Sequence, residues 1–162
     1  MGSVSSGRAP GRRRPAMAIR ASLRELGLQL SLLNRQVGTR LDLRDVDLDC
    51  LDLVHAHGPL GPSALARLAG LHPATLTGVL DRLERGGWVA RERDPSDRRA
   101  ILVRAVQDRN AELFGLFAGM NASVEEICGD YDDADLELLA GFLERMVHAG
   151  RDAARELAGG AS

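Results

Sequence analysis

The sequence predicts a mostly α-helical fold carrying one small β-hairpin, and three observations predict it. The first is composition. Hydrophobic residues make up 44 % of the 162 residues but aromatics only 3 %, so the core must be built from Leu, Val and Ala, which favours helices. The second is a crossed-helix pattern from Ser63 onward. Ala66, Ala69, Gly70, Leu71, Leu76 and Val79 stand where two helices joined by a tight turn must touch. The third is a pair of β-type runs, Trp88–Arg93 and Arg98–Arg104, around the charged turn Asp94-Pro95-Ser96-Asp97. Together they give a winged helix-turn-helix framed by long N- and C-terminal dimerisation helices.

Residues 1–16 are Gly, Ser, Pro and Arg with little that is apolar, and are expected as a disordered basic tail. It is either a leader ahead of Met17 or an arm that adds non-specific phosphate contacts. From Ile19 onward, Leu23, Leu26, Leu30, Leu33 and Val37 recur at spacings of four and three, an apolar seam on one helix. A second helix covers about 46–57, with Leu48, Leu51, Leu53 and Val54 facing inward, and ends at Gly58-Pro59. Ser63 is expected to cap the next helix, which runs through Ala69. Gly70 supplies the permissive backbone of the turn. Pro73 takes the first position of the following helix, where its missing N–H costs nothing, and Gly86-Gly87 ends it.

Beyond the hairpin, the seam returns at Leu113, Phe117, Met120, Val124 and Ile127. It appears again at Leu136, Leu139, Leu143, Met146, Ala153 and Leu157. Long helices with heptad-like seams predict a partner chain, so a homodimer is expected. The domain plan is therefore dimerisation helices at 17–44 and 107–158 around a DNA-binding winged helix-turn-helix at 45–106.

Charge supports that division. All 21 basic residues are arginine. Residues 82–104 hold seven of them against Glu84, Glu92, Asp94 and Asp97, whereas 108–156 hold four against twelve acids. One part is built to meet phosphate and the other to avoid it. No apolar run approaches the length of a membrane span, and the early arginines precede no signal-peptide core. Cys50 and Cys128 are too few for a disulfide scaffold. The expected compartment is the cytoplasm, with no membrane partner.

On the 73–85 helix, Leu76, Val79, Leu80 and Leu83 make the buried stripe, leaving Ala74, Thr75, Thr77, Gly78, Asp81 and Arg82 outside. Small residues near its start let that end enter a major groove. Thr75 and Thr77 offer hydroxyls and methyls, and Arg82 can reach a phosphate or a guanine edge. Ser63 is assigned to the same surface. In the wing, Asp97 is expected to pair with a neighbouring arginine and stiffen the loop. That leaves Arg98 for the minor groove and Arg99 for backbone or intraprotein pairing, an order that is interchangeable. Double-stranded DNA is the predicted partner.

The segments Leu65-Ala66-Arg67-Leu68-Ala69-Gly70, Ala74-Thr75-Leu76-Thr77 and Val79–Val89, with the wing Asp94-Pro95-Ser96-Asp97-Arg98-Arg99, resemble the MarR family of transcriptional regulators. The resemblance extends over about 20–158. It implies a homodimer with interlocking terminal helices, whose two recognition helices meet successive major grooves of a pseudo-palindromic site. It also implies a repressor released by small phenolic or lipophilic ligands or by oxidation. Where the family often has a Leu-Thr…Gly segment after the second wing strand, this chain has Ala105-Val106-Gln107-Asp108.

The resemblance places an effector pocket between the DNA-binding lobe and the dimerisation helices, where Asn34, Arg35, Asp52, His55, His57, Arg109 and Phe114 are available. His55 and His57 stand two apart and diverge on a helix, a poor metal pair. Cys50 with His55 would be half a zinc site. Cys50 also stands beside Asp49 and Asp52, which disfavour a thiolate. The acids Asp130, Asp132, Asp133 and Asp135 lack the glycine and closing glutamate of an EF-hand loop and are expected to cap the next helix. No metal site and no cofactor is expected. No phosphate loop, Cys-x-x-Cys, His-Glu-x-x-His or nucleophile elbow is present, so an enzyme is not expected. The expected function is sequence-specific transcriptional regulation. The alternatives are a winged-helix adaptor without specific DNA binding and a metal- or oxidant-responsive regulator.

Overall fold

The computed structural model describes residues 13–159. The elements run α1 (Arg13–Leu41), α2 (Asp45–His57), α3 (Pro62–Ala69), α4 (Pro73–Arg85), β1 (Val89–Arg93), β2 (Ile101–Ala105), α5 (Gln107–Cys128) and α6 (Asp133–Gly159). This is the mostly helical winged helix-turn-helix that the sequence predicts. The chain divides into two compact units, with the break after Leu48.

In the first unit, α1 already includes Arg13–Ala16, so the end of the expected tail is helical; residues 1–12 lie outside the described residues. Arg and Ala are strong helix formers, and they extend the helix upstream of its apolar seam. Leu43 N donates to Gly38 O across Asp42, which takes the left-handed conformation with φ 55°. Asp47 caps the start of α2: Arg44 N donates to Asp47 Oδ2 at 3.1 Å, and Asp47 N donates back to Arg44 O at 2.9 Å.

In the second unit, α3 and α4 form the helix-turn-helix. Gly70 lies at φ 65°, ψ 29°, and Leu71 N returns to Ala66 O at 2.9 Å. A Cβ in that backbone conformation would be strained, which is why glycine suits the turn. Ser63 does not cap α3. Pro62 takes the first helical position and Gly61 the cap, placing Ser63 one residue inside the helix. The proline's fixed φ suits that first position. Pro73 likewise opens α4, and the cap before it is His72, whose Nδ1 accepts from Ala74 N at 3.2 Å.

The buried stripe of α4 is Leu76, Val79, Leu80 and Leu83, as predicted. It meets a core that includes Leu51, Val54, Leu65, Trp88, Val89, Val103 and Leu113. Leu53, expected inside, is only half-buried. At the end of α4 a Cβ on Gly86 would stand 2.7 Å from the Trp88 indole, and Gly87 has φ 74°. The Gly-Gly pair thus lets the chain reverse and the indole fold in beneath it.

β1 and β2 pair antiparallel, Val89 opposite Ala105 and Arg93 opposite Ile101. The second strand starts at Ile101 and not at Arg98 as expected, because Arg98 and Arg99 belong to the turn. Leu60 adds a further bridge, exchanging two backbone hydrogen bonds with Val103 at 3.1 and 2.8 Å. The long α6 follows a turn in which Asp132 Oδ1 accepts from Asp135 N at 2.9 Å, the capping role expected of that acidic cluster.

Candidate nucleic-acid interface

The exposed side of α4 presents Ala74, Thr75 and Thr77 to solvent, with Gly78 half-buried. Thr77 Oγ1 donates to Pro73 O at 3.0 Å, which leaves its oxygen as an acceptor. Arg82 is half-buried, and its Nη1 lies 3.8 Å from where a Gly78 Cβ would stand, so the guanidinium folds back along the helix. Ser63 is exposed on α3.

A charged clamp joins α4 to the wing. Arg91 on β1 reaches Glu84 Oε2 and Asp81 Oδ1, both at 2.7 Å, and its backbone N donates to Glu84 Oε1 at 3.3 Å. One guanidinium bridging two acids a helical turn apart fixes the angle between helix and hairpin. Glu92 and Arg104 pair diagonally across the strands through two hydrogen bonds, at 2.6 and 3.2 Å. Each holds the other in its charged form: the Glu92 carboxyl lies below its ordinary range and Arg104 above its own.

The wing tip is stiffened by local bonds and not by the expected Asp97–arginine pair. Asp94 Oδ1 accepts from Ser96 N at 2.7 Å and Ser96 Oγ at 2.6 Å, bonds that pull its carboxyl below the usual range. Asp97 Oδ1 accepts from the backbone N of Arg99 at 3.0 Å, and Ala100 N closes onto Asp97 O at 2.9 Å. An aspartate that satisfies the backbone two residues on needs no guanidinium. Arg98 and Arg99 are both exposed, and neither guanidinium is in an ion pair among the described residues. The tip is a rigid turn carrying two charges that face solvent.

The residues expected to line an effector pocket fall into several settings. Asn34 and Arg35 lie on α1, where Arg35 approaches Asp45 at 4.0 Å. Arg109 stacks its guanidinium 4.5 Å from the Trp88 ring centroid and bonds Glu112 at 2.5 Å. Asp52 is exposed on α2; partial burial raises its carboxyl, the nearby His55 opposes this, and Asp49 adds to it. His55 and Phe114 do come together, ring centroids 5.0 Å apart, on the wall of a cleft of about 490 Å³. Val54, Pro59, Arg104, Gln107, Asn110 and Ala111 also line it. Among the described residues, no group of three or more His, Cys, Asp and Glu side chains could hold a metal ion. Sequence reasoning missed His72 and Asn110. Neither a lone cap in a turn, as His72 is, nor a lone polar residue in a helical seam, as Asn110 is, carries a periodic signal.

Three comparisons bear on this arrangement. The family model described as "MarR family" matches residues 43–101. The HTH-type transcriptional regulator YcgE of Bacillus subtilis is 32 % identical over 120 residues, covering 74 % of this chain and 78 % of that protein. The HTH-type transcriptional repressor YetL of the same organism is 29 % identical over 91 residues, 54 % of each chain. Among solved structures, a mutant of MepR from a multidrug-resistant S. aureus clinical isolate superimposes with a TM-score of 0.69 at 15 % identity, over 81 % of this chain and 96 % of that one. A MarR family protein from Bacillus stearothermophilus gives 0.63 at 19 % identity, over 85 % and 96 %. At such identities the structures speak for the fold.

Proposed function

The chain belongs to the MarR family of transcriptional regulators and carries its DNA-binding helix-turn-helix, and from that premise we propose that it acts as a homodimeric, effector-released repressor on a pseudo-palindromic operator. The observation that carries the DNA part is the unpaired state of Arg98 and Arg99 on a stiff turn beside a clamped α4. In this reading the N-terminal end of α4 enters a major groove through Ala74, Thr75, Thr77 and Gly78. Arg82 and the Ser63 hydroxyl meet the backbone, and one wing arginine enters the adjacent minor groove. Asp97 serves by holding the turn.

The homodimer is supported by α6, a 27-residue helix with no buried residue that nonetheless exposes Leu139, Leu143 and Met146. A second copy of the chain would cover that face, so 17–44 and 107–158 are the proposed dimerisation segments, around the 45–106 reading head. Repression is supported by the likeness to the repressor YetL. The cleft walled by His55 and Phe114 is the proposed effector site, and the cytoplasm the proposed compartment.

The test is binding of the purified protein to DNA from its own upstream region, titrated across salt against a scrambled competitor. The expected result is salt-sensitive binding that the competitor does not abolish, with half-sites about one helical turn apart. Equal loss to scrambled DNA would favour an adaptor instead.

A further inference from the structure

The cleft wall and the wing base share one buried side chain, Asn110. It is 1 % exposed and makes every bond its amide allows in this setting. Its Nδ2 donates to Trp88 O at 3.3 Å and to Val106 O. Those carbonyls flank the hairpin: Trp88 precedes β1, Val106 follows β2, and Val106 N itself donates to Trp88 O at 2.9 Å. With both donors turned to carbonyls, Asn110 Oδ1 must accept, and the group it meets is His55 Nε2 at 2.9 Å. The hydrogen-bond network therefore makes His55 Nε2 the donor of this bond. His55 in turn leans on Phe114 at an interplanar angle of 60°, and both rings line the cleft.

We infer that the His55–Asn110 hydrogen bond is the link through which occupancy of the cleft reaches the wing. The inference rests on reading the cleft as an effector site. A body in the cleft displaces the His55 or Phe114 ring, and a rotated imidazole no longer donates to Asn110 Oδ1. A buried amide that loses its partner reorients to find another. Reorientation withdraws Nδ2 from Trp88 O and Val106 O, the two carbonyls that tie the ends of the hairpin together. The tip arginines ride on that hairpin, so a change at its base moves them away from DNA. His55 and Asn110 are positioning residues in this scheme and need touch neither DNA nor the effector's reactive groups.

The experiment places an occupant in the cleft without needing the natural one. Ala111→Cys, in a Cys128→Ser background, is treated with benzyl methanethiosulfonate, which forms a mixed disulfide on the new thiol and releases the sulfinate. Cys50, 0 % exposed, is shielded from the reagent. Amide hydrogen exchange of residues 89–93 and 101–106 is read without DNA, and affinity for upstream DNA is read separately. The expected result is about a tenfold rise in wing exchange and a similar loss of affinity on labelling, both reversed by dithiothreitol. His55→Phe should abolish the response to labelling, and His55→Gln, which can still donate to Asn110 Oδ1, should restore it. His55→Leu guards against a packing artefact of the new ring and should behave as His55→Phe does. An undiminished response in His55→Phe and His55→Leu, or no wing response to labelling at all, overturns the inference. A wing response in a protein that fails to bind upstream DNA supports the relay and counts against the operator reading alone.

Discussion

Helices α4 and α6 are both amphipathic, yet they use their apolar faces in opposite ways. The 13 residues of α4 bury Leu76, Val79, Leu80 and Leu83 inside their own chain, while the 27 residues of α6 bury none. The core around α4 is complete: Trp88, Val89 and Val103 close it from the hairpin side, each at most 2 % exposed. Along α6, Leu143 stays half exposed at 50 % and Leu157 reaches 80 %. One apolar stripe is buried in the fold and the other is left open for the proposed second copy, although the two look alike as sequence. Charge separates them where hydrophobicity does not, since arginine accumulates beside α4 and acid along α5 and α6.

That contrast can be broken at its strongest point. Leu80→Ala should cost about 2–5 kcal/mol of folding stability, seen as a lower urea midpoint, because it opens a cavity in a filled core. Leu143→Ala should cost the isolated chain almost nothing; equal losses at the two positions would erase the distinction. Leu143→Arg, by contrast, should abolish the dimer while far-UV circular dichroism holds. A sedimentation profile that remains dimeric would refute the assignment of α6 to the interface.

Smaller changes sharpen the contrast within the reading head. Arg98→Ala should weaken DNA binding by about 1–3 kcal/mol and leave thermal unfolding unchanged, since its guanidinium holds nothing inside the chain. Undiminished affinity would remove the wing tip from the interface. Arg91→Ala should do the reverse, costing up to about 1 kcal/mol of stability through its partly exposed pairs and loosening the wing. Salt should mimic that loss, and a stability insensitive to salt would argue against the clamp.

The least effect belongs to Asp52. Its folded carboxyl lies above the ordinary value of 3.8, so folding favours its protonated form. Whatever it contributes is greatest below that value and declines as pH rises through the raised one. At neutral pH the ionised group is a mild net cost. Asp52→Asn should therefore stabilise the protein by no more than about 0.5 kcal/mol near pH 7, given the exposure of the side chain. The gain should vanish near pH 3, and a gain that persists there would show that the charge is not its cause.

What the sequence made legible follows from how each feature is encoded. The α4 stripe, the Gly70 turn and the Gly86-Gly87 stop are periodic or conformational signals, and they survive into the structure at the expected residues. The wing was visible as two β-type runs, but its boundary was not. Asp94 and Asp97 bond the backbone beside them, and those local bonds hold Arg98 and Arg99 in the turn when strand propensity alone would extend them. Leu60 could not have been foreseen as a partner of Val103, because a single bridging residue has no pattern. The same holds for His72 as a cap and for Asn110. Each is one side chain whose role exists only once distant segments have met.

The indole of Trp88 has one further consequence. It is the only tryptophan in the chain, lies 1 % exposed, carries Arg109 over its face, and its own carbonyl accepts from Asn110. The protein therefore holds an intrinsic fluorophore at the junction of hairpin and helix. Its emission should be blue-shifted while the junction is closed and shift to longer wavelength as the hairpin loosens. The state of the wing can thus be followed by light in the unlabelled protein, on the timescale of mixing.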